Sequence, residues 1–464
     1  MRAQGQFRFE YKSAQTRRAD SGISGPAASA EAESAESDIP VIVTSGAAPD
    51  FEASLPGVVL KRQDPPMTVK DEVIFLLHTA AEIEHSLLSQ YLYSMYSLTN
   101  GPMQNQWRST LMQIAREEMG HLMCVQNILL ALGGPINFER EDYPFNALYP
   151  FPFRLEPLTV QSLARYVLAE MPERQQITAP ADFNLDAISQ DAGFPSAEAN
   201  VNRVGALFDL LAELVAELGD KDLVAQTTDL QADSGSWRAP QHSLVLDRVS
   251  SVQDISRLVT AIGTQGEGPG MPTDPNTSHF VRFYKMYLEA LEFRSTSHGG
   301  SMSHLVPIDP TVHDPLAQGY ISNPEARAWA DVFNHRMRWL LSNLSDYFVM
   351  NDTTQRNHLR NWAFEEMRFV DQIAEKLVSL PLHSPAMKSP EGRLLCAGPT
   401  FELPYTLNPP GHAVSAWRIQ ETLARHALDQ LKHLPNTEPI VFFLRDASEQ
   451  RLKVIDGILS PVTS

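Results

Sequence analysis

Two shortages frame this 464-residue sequence: cysteine, present only as Cys124 and Cys396, and positive charge, with 37 Lys and Arg against 56 Asp and Glu. Two cysteines exclude a disulfide framework and a Cys-rich zinc site. They fit a reducing compartment, so the expected location is cytoplasmic. Any bound metal must then be held by imidazole and carboxylate, a donor set suited to iron or manganese. The net charge of −19 and pI of about 5.2 exclude a broad nucleic-acid or anionic-membrane surface, both of which need clustered Lys and Arg. Long apolar runs are missing too. None approaches the roughly eighteen residues needed to span a bilayer, and the N-terminus lacks the apolar stretch of a secretory signal. Arg2, Arg8, Arg17 and Arg18 sit among Ser and Ala as in an organelle presequence, but Glu10 and Asp20 stand against that reading. No repeat of about 20–50 residues is present, which excludes a solenoid.

What is there is a mainly α chain. The 43% hydrophobic share allows a substantial core. Residues 1–64, rich in Ala, Ser and Glu and then Pro, bury too little to offset ordering entropy and are expected to be a disordered tail, with a short strand near Pro40–Val43. A helix is predicted from Met67-Thr68 to Leu98, and a second from Gln104 to Leu132 before Gly133-Gly134-Pro135. Two long helices joined by the short Asn100-Gly101-Pro102 turn must run antiparallel. Further helices are expected over 159–171, 201–219, 252–263, 276–293, 325–350, 355–379 and 413–432. An insertion is expected over 173–200, and a lone strand at Ile440–Leu444. The expected organisation is the tail, a bundle over 65–298, and a C-terminal helical region over 299–464 packed on it.

The chemistry is in the misplaced charges. Glu84 is surrounded on its helix face by Leu77, Ala80, Ala81, Leu87, Leu88 and Tyr91. A carboxylate in such a stripe is costly unless something pairs with it. Glu82, with His78, Thr79, His85 and Ser86 on its face, is the contrast and can point to water. On the next helix, Glu118 lies among Leu111, Ile114, Ala115, Leu122 and Val125, with His121 one turn on and about 60° away around the axis. Glu-x-x-His on an inward face, beside a buried Glu of an antiparallel neighbour, is the ligand pattern of di-iron carboxylate bundles. The bland alternative is a solvent-facing Glu84 and a hydrogen-bonded core histidine. Glu170 ends a helix behind Leu163, Tyr166 and Val167, where the alternative is an exposed residue at a frayed end. Glu267, between Gly266 and Gly268, pairs with His279 only if the glycine-rich segment bends back, which glycine permits.

These words resemble a known group. Ala81-Glu82-Ile83-Glu84-His85 with Gln90-Tyr91-Leu92, then Glu117-Glu118-Met119-Gly120-His121, then Asn127 to Gly133-Gly134-Pro135, are similar to the ferritin-like family that includes the iminophenyl-pyruvate dimer synthase domain. That domain occurs in the synthases of violacein and rebeccamycin biosynthesis. Ala169-Glu170-Met171-Pro172, Gln265-Gly266-Glu267-Gly268 and Ser278-His279-Phe280 with Arg282-Phe283 match as well. Leu380-Pro381-Leu382 and Ala397-Gly398-Pro399 with Phe401 resemble its C-terminal portion. The likeness is strongest over 67–293. It implies a ferritin-like antiparallel bundle and six metal ligands: Glu84, Glu118 with His121, Glu170, and Glu267 with His279. The chain is far shorter than the full indole-alkaloid synthases, so their dimerising reaction does not simply transfer. Glu365-Glu366-Met367-Arg368-Phe369 echoes the second-helix word with Phe in the place of His, and reads as a core helix.

The resulting expectation is a di-metal oxidoreductase, non-haem di-iron with manganese as the alternative, acting on a small amino-acid-derived metabolite with dioxygen or peroxide. Tyr91, Tyr93 and Tyr166 are candidates for a supporting shell around the metals. Exposed apolar faces in the C-terminal region would allow a homo-oligomer. Two rival readings remain: an iron-binding, ferroxidase-like protein, and a metal-free helical scaffold.

Overall fold

A computed structural model describes residues 62, 66–140, 153–171, 183–194, 203–224, 227–237, 244–267, 278–296, 300–403, 412–435 and 437–460. The expected strand at 40–43, and the expected tail apart from Arg62, lie outside the described residues.

The first helix, α1 (Val69–Ser97), begins where Thr68 accepts a hydrogen bond from the Asp71 amide, with Asp71 and Glu72 in the positive first turn. A four-residue turn leads to α2 (Pro102–Leu132), with Pro at its first position, where the missing amide costs nothing. Gly133, at φ 77°, closes α2 in the left-handed region. Its amide meets Leu130 O at 3.0 Å, and the Gly134 amide meets Leu129 O at 2.8 Å. The two helices pack along their length as an antiparallel hairpin.

The chain continues through α3 (Val160–Ala169), α4 (Leu185–Ala192), α5 (Val204–Val215), α6 (Val252–Glu267) and α7 (His279–Thr296). Helix α3 packs on α7, while α5 and α6 pair with each other. Helix α5 leans on α1, and α6 touches α2 and α7. Aromatic rings fix the height at which these helices meet: Tyr91 of α1 lies 4.8 Å from both Tyr166 of α3 and Phe283 of α7. Each such pair contributes about 0.5–1.5 kcal/mol beyond the area it buries. Next come α8 (Pro324–Val349) and α9 (Thr353–Leu377), a second hairpin, and then α10 (Ala413–Gln430) and α11 (Pro439–Leu459). Helix α10 packs on α8, and α9 contacts α1. Among the described residues strand pairing is limited to isolated bridges such as Leu305 with Leu395, and no helix is long and apolar enough to cross a membrane. The described residues form a mainly α antiparallel helix bundle with additional C-terminal helices.

Three expectations need correction. The lone strand at 440–444 is the first turn of α11. Val441, Leu444, Ser448, Arg451 and Ile455 form a buried stripe of helical spacing, while Phe442 and Phe443 are 65% and 57% exposed. The β-branched and aromatic run misleads because its period shows only further along the chain. Second, α6 does not stop at Gly263 but runs to Glu267. An isolated glycine costs a helix only about 1 kcal/mol. Here each glycine admits a close approach: a Cβ at Gly266 would stand 3.3 Å from Glu170 Oε2, and one at Gly263 3.5 Å from Phe208. Third, the insertion at 173–200 contains a helix, α4, capped by Asn184.

Candidate metal centre

Each polar side chain of the site is delivered by a different local device. Glu84 sits mid-way along α1, 1% exposed, among the buried Leu77, Ala80, Ala81, Leu87, Leu88 and Tyr91. Glu118 and His121 stand one turn apart on α2, both buried. Glu170 caps the C-terminus of α3, and its own amide still bonds to Tyr166 O. His279 opens α7 behind Ser278, whose hydroxyl accepts from the Val281 amide. Glu82, the contrast residue, is half-buried and accepts from Asn137 Nδ2 at 3.2 Å.

These five groups converge. His121 Nδ1 lies 3.1 Å from Glu118 Oε2 and 3.4 Å from Glu84 Oε2. His279 Nδ1 lies 2.9 Å from Glu118 Oε1 and 3.8 Å from Glu170 Oε1. The two imidazoles stack with centroids 5.6 Å apart. Ligand-capable atoms of Glu84, Glu118 and His121 all fall within 4.8 Å of one another, and so do those of Glu118, Glu170 and His279. Glu118 belongs to both sets. The sixth expected residue, Glu267, ends α6, but its side chain lies outside the described residues.

Both histidines turn Nδ1 inward and Nε2 outward. His121 Nε2 meets Gln265 Oε1 at 2.9 Å, and His279 Nε2 meets Glu117 Oε2 at 3.0 Å. The Arg282 guanidinium donates to the same oxygen of Glu117. On the other side the Tyr91 hydroxyl donates to Glu170 Oε1. Of the other two tyrosines, Tyr166 bonds to Ser94 at 2.7 Å and Tyr93 to Pro307 O, neither at the cluster.

Electrostatically the cluster holds more buried carboxylates than cations. Burial, followed by the Glu118 charge, pushes the Glu84 carboxyl well above the usual range. Burial would raise Glu118 as well, but His279 and His121 together hold it well below. Burial and the neighbouring Glu118 raise Glu170, against the pull of His279. The imidazoles respond in kind: despite burial, the facing carboxylates push His121 up to about 10 and His279 well above its ordinary value. Protons on the histidines therefore stand in for missing positive charge.

Buried atoms without well-aligned hydrogen bonds show which groups could hold a cation. Glu84 Oε2, Glu118 Oε1 and His279 Nδ1 are buried without a well-aligned hydrogen bond, Glu118 Oε1 and His279 Nδ1 meeting only as an ion-pair contact at 2.9 Å. They line a cavity of about 10 Å³, room for about one water-sized species. Its remaining wall is apolar or glycine: Leu87, Val204, Gly205, Phe208, Ile262, Gly263 and Gly266. Oxygen and imidazole donors around a small void fit hard or borderline divalent cations.

Reasoning from sequence missed Glu117, Gln265 and Arg282 as supporting groups. Arg282 stands one turn after His279, so a face-by-face reading of α7 would have found it. Gln265 and Glu117 reach their histidines across 144 and 162 residues, where no periodicity signals the contact.

Residues 77–288 match the family model described as ferritin-like. Dichlorochromopyrrolate synthase of Lentzea aerocolonigenes is 26% identical over 74% of this chain and 37% of its own length. The 2-imino-3-(indol-3-yl)propanoate dimerase of Chromobacterium violaceum is 30% identical over 21% of this chain and 13% of its own. The chain thus spans a minor part of both relatives. A ferritin-like protein of Caulobacter vibrioides, known from its crystal structure, aligns at 16% identity and a TM-score of 0.39, over 65% of this chain and 93% of the other.

Proposed function

We propose, from the match of residues 77–288 to the ferritin-like family model, that this chain is a di-metal oxidoreductase. The ions are iron, with manganese as the alternative, and the substrate is a small amino-acid-derived metabolite oxidised with dioxygen or peroxide. The ligands are Glu84, Glu118, His121, Glu170 and His279, with Glu267 as the sixth. One observation carries the reading: Glu118 turns one oxygen toward His121 and the other toward His279, as a carboxylate shared by two cations does.

When bound, a pair of iron ions supplies the redox chemistry with the oxidant. The chain's own groups do the rest. Gln265 and Glu117 stand where they would accept the Nε2 protons, so that loss of the Nδ1 protons would leave each Nδ1 lone pair directed inward. Tyr91 holds Glu170 by its hydroxyl, and burial keeps that phenol protonated well above its ordinary range. Leu87, Val204, Phe208 and Ile262 form a dry wall that limits water beside the cluster. Both relatives are named for reactions that make or couple organic acids, which supports the proposed substrate class.

The test is oxygen uptake by the iron-loaded protein against a panel of aromatic 2-oxo and 2-imino acids. The expected result is uptake with at least one of them and an oxidised product. Full metal loading without uptake across the panel contradicts the enzyme reading. Rapid oxidation of many ferrous ions per chain with mineral formation assigns the protein to iron storage instead.

A further inference from the structure

The two halves of the cluster share Glu118 but differ in what stands behind each imidazole. Behind His121 is the neutral amide of Gln265, accepting at 2.9 Å. Behind His279 is a carboxylate, Glu117, accepting at 3.0 Å and itself 2% exposed. A hydrogen bond to an ionised acceptor is about twice as strong as one to a neutral acceptor. It draws the Nε2 proton away and makes Nδ1 the better donor to a cation. Arg282 shares the same Glu117 oxygen and tempers this effect without abolishing it, since the guanidinium neutralises charge but leaves an oxyanion as the acceptor. Among the described residues direct ligation does not offset the difference, because each half has one imidazole, one carboxylate of its own (Glu84 or Glu170) and the shared Glu118.

We infer that the two cation positions are unequal: the one at His279 binds the tighter ion, and Glu117 is the positioning residue that sets the difference. This rests on the proposed di-metal reading and adds an order of filling to it. Three signed consequences follow. Glu117→Gln weakens the tighter position by about 10–100-fold and spares the weaker one. Gln265→Glu strengthens the weaker position, so the two affinities converge. Arg282→Gln leaves Glu117 Oε2 to His279 alone, with Gln113 still on Oε1 at 3.3 Å, and tightens the His279 position further. Gains of affinity are not what damaged packing produces, so these last two separate positioning from a merely structural role.

The experiment is titration of the full metal-depleted chain with Mn(II), with the free ion followed by its electron paramagnetic resonance signal and the fold by circular dichroism. Expected is a two-step isotherm in which His279→Ala removes the tighter step and His121→Ala the weaker. The Glu117, Gln265 and Arg282 variants should move single steps in the stated directions. Two equal affinities in the wild type, a loss of the weaker step in His279→Ala, or equal weakening of both steps by Glu117→Gln overturns the inference and leaves the di-metal reading standing. Absence of any Mn(II) or Fe(II) binding by the wild type overturns both.

Discussion

The chain contains the word Glu-Glu-Met twice, at 117–119 on α2 and at 365–367 on α9, and the two copies solve the same problem differently. In both, the second Glu is almost fully buried: Glu118 is 2% exposed and Glu366 0%. Glu366 is neutralised by the protein itself. Arg336 Nη1 reaches it at 3.1 Å, Arg451 donates to the same oxygen, and Arg451 Nη2 also meets Glu365 at 3.0 Å. Two guanidiniums face two carboxylates, with the Trp339 ring beneath both arginines at 5.1 and 4.6 Å. On α2 only Glu117 has an arginine, Arg282, while Glu84, Glu118 and Glu170 share two imidazoles. The third residue after the second Glu makes the difference visible. It is His121 on α2, aimed at the carboxylates, and Phe369 on α9, whose ring lies 5.5 Å from the Arg336 guanidinium. A buried carboxylate that the chain pairs is architecture. One that it leaves short of cations is, on the proposed reading, a place for an ion.

The comparison can be broken most forcefully at the paired copy. Glu366→Leu strands Arg336 and Arg451 in the core, and removing one partner of a buried pair costs about 3–5 kcal/mol. Denaturant unfolding should show that loss equally with chelator and with added metal, and a metal-dependent loss would merge the two regions into one. At the unpaired copy the sign is set by pH. In metal-free protein the folded-state values of both imidazoles are raised, that of His121 to about 10 and that of His279 well above its ordinary range, so their contribution is complete below about 6.5 and drains away as pH climbs through the raised values. Glu84, also raised, acts in the same direction. Glu118 is depressed and acts oppositely, its contribution being lost only as acid protonates it below the usual carboxylate range. Thermal midpoints in chelator should therefore fall between pH 6.5 and 10. In Mn(II) they should hold or rise, because ligation needs neutral imidazoles. Parallel curves would show that no ion replaces those protons. The smallest expected effect sharpens the contrast: Phe369→His recreates Glu-x-x-His on α9, and metal content should not change, because Glu366 is already taken by two arginines.

Much of this was legible in the sequence. Glu84, Glu118 and His121 stood out because regular helices convert spacing into direction, so a charge inside an apolar stripe is visible without coordinates. Thr68 and Gly133 marked helix ends for equally local reasons. Glu170 was harder, since a residue at a helix end has no further turn to fix its direction, yet it faces the cluster. The failures have one physical cause. The helix was ended at Gly263 because the glycine-rich segment from Gly266 was read as a breaker by local propensity, but close contact with Phe208 and the site accompanies a helix that runs to Glu267. The run at 440–444 was read as a strand because its residues favour strands in isolation, whereas packing of Val441 and Leu444 selects the helix. Gln265, Glu117 and Arg282 belong to contacts between distant segments, which no single-helix pattern encodes.

The central claim is that Glu118 serves two cations at once, and metal content per chain tests it most directly. Protein purified without chelator and reloaded with Fe(II) or Mn(II) should carry two ions. Glu118→Ala, still folded by circular dichroism, should lose both together rather than one. A wild type that binds no ion, or a Glu118→Ala variant that still holds two, would contradict the account.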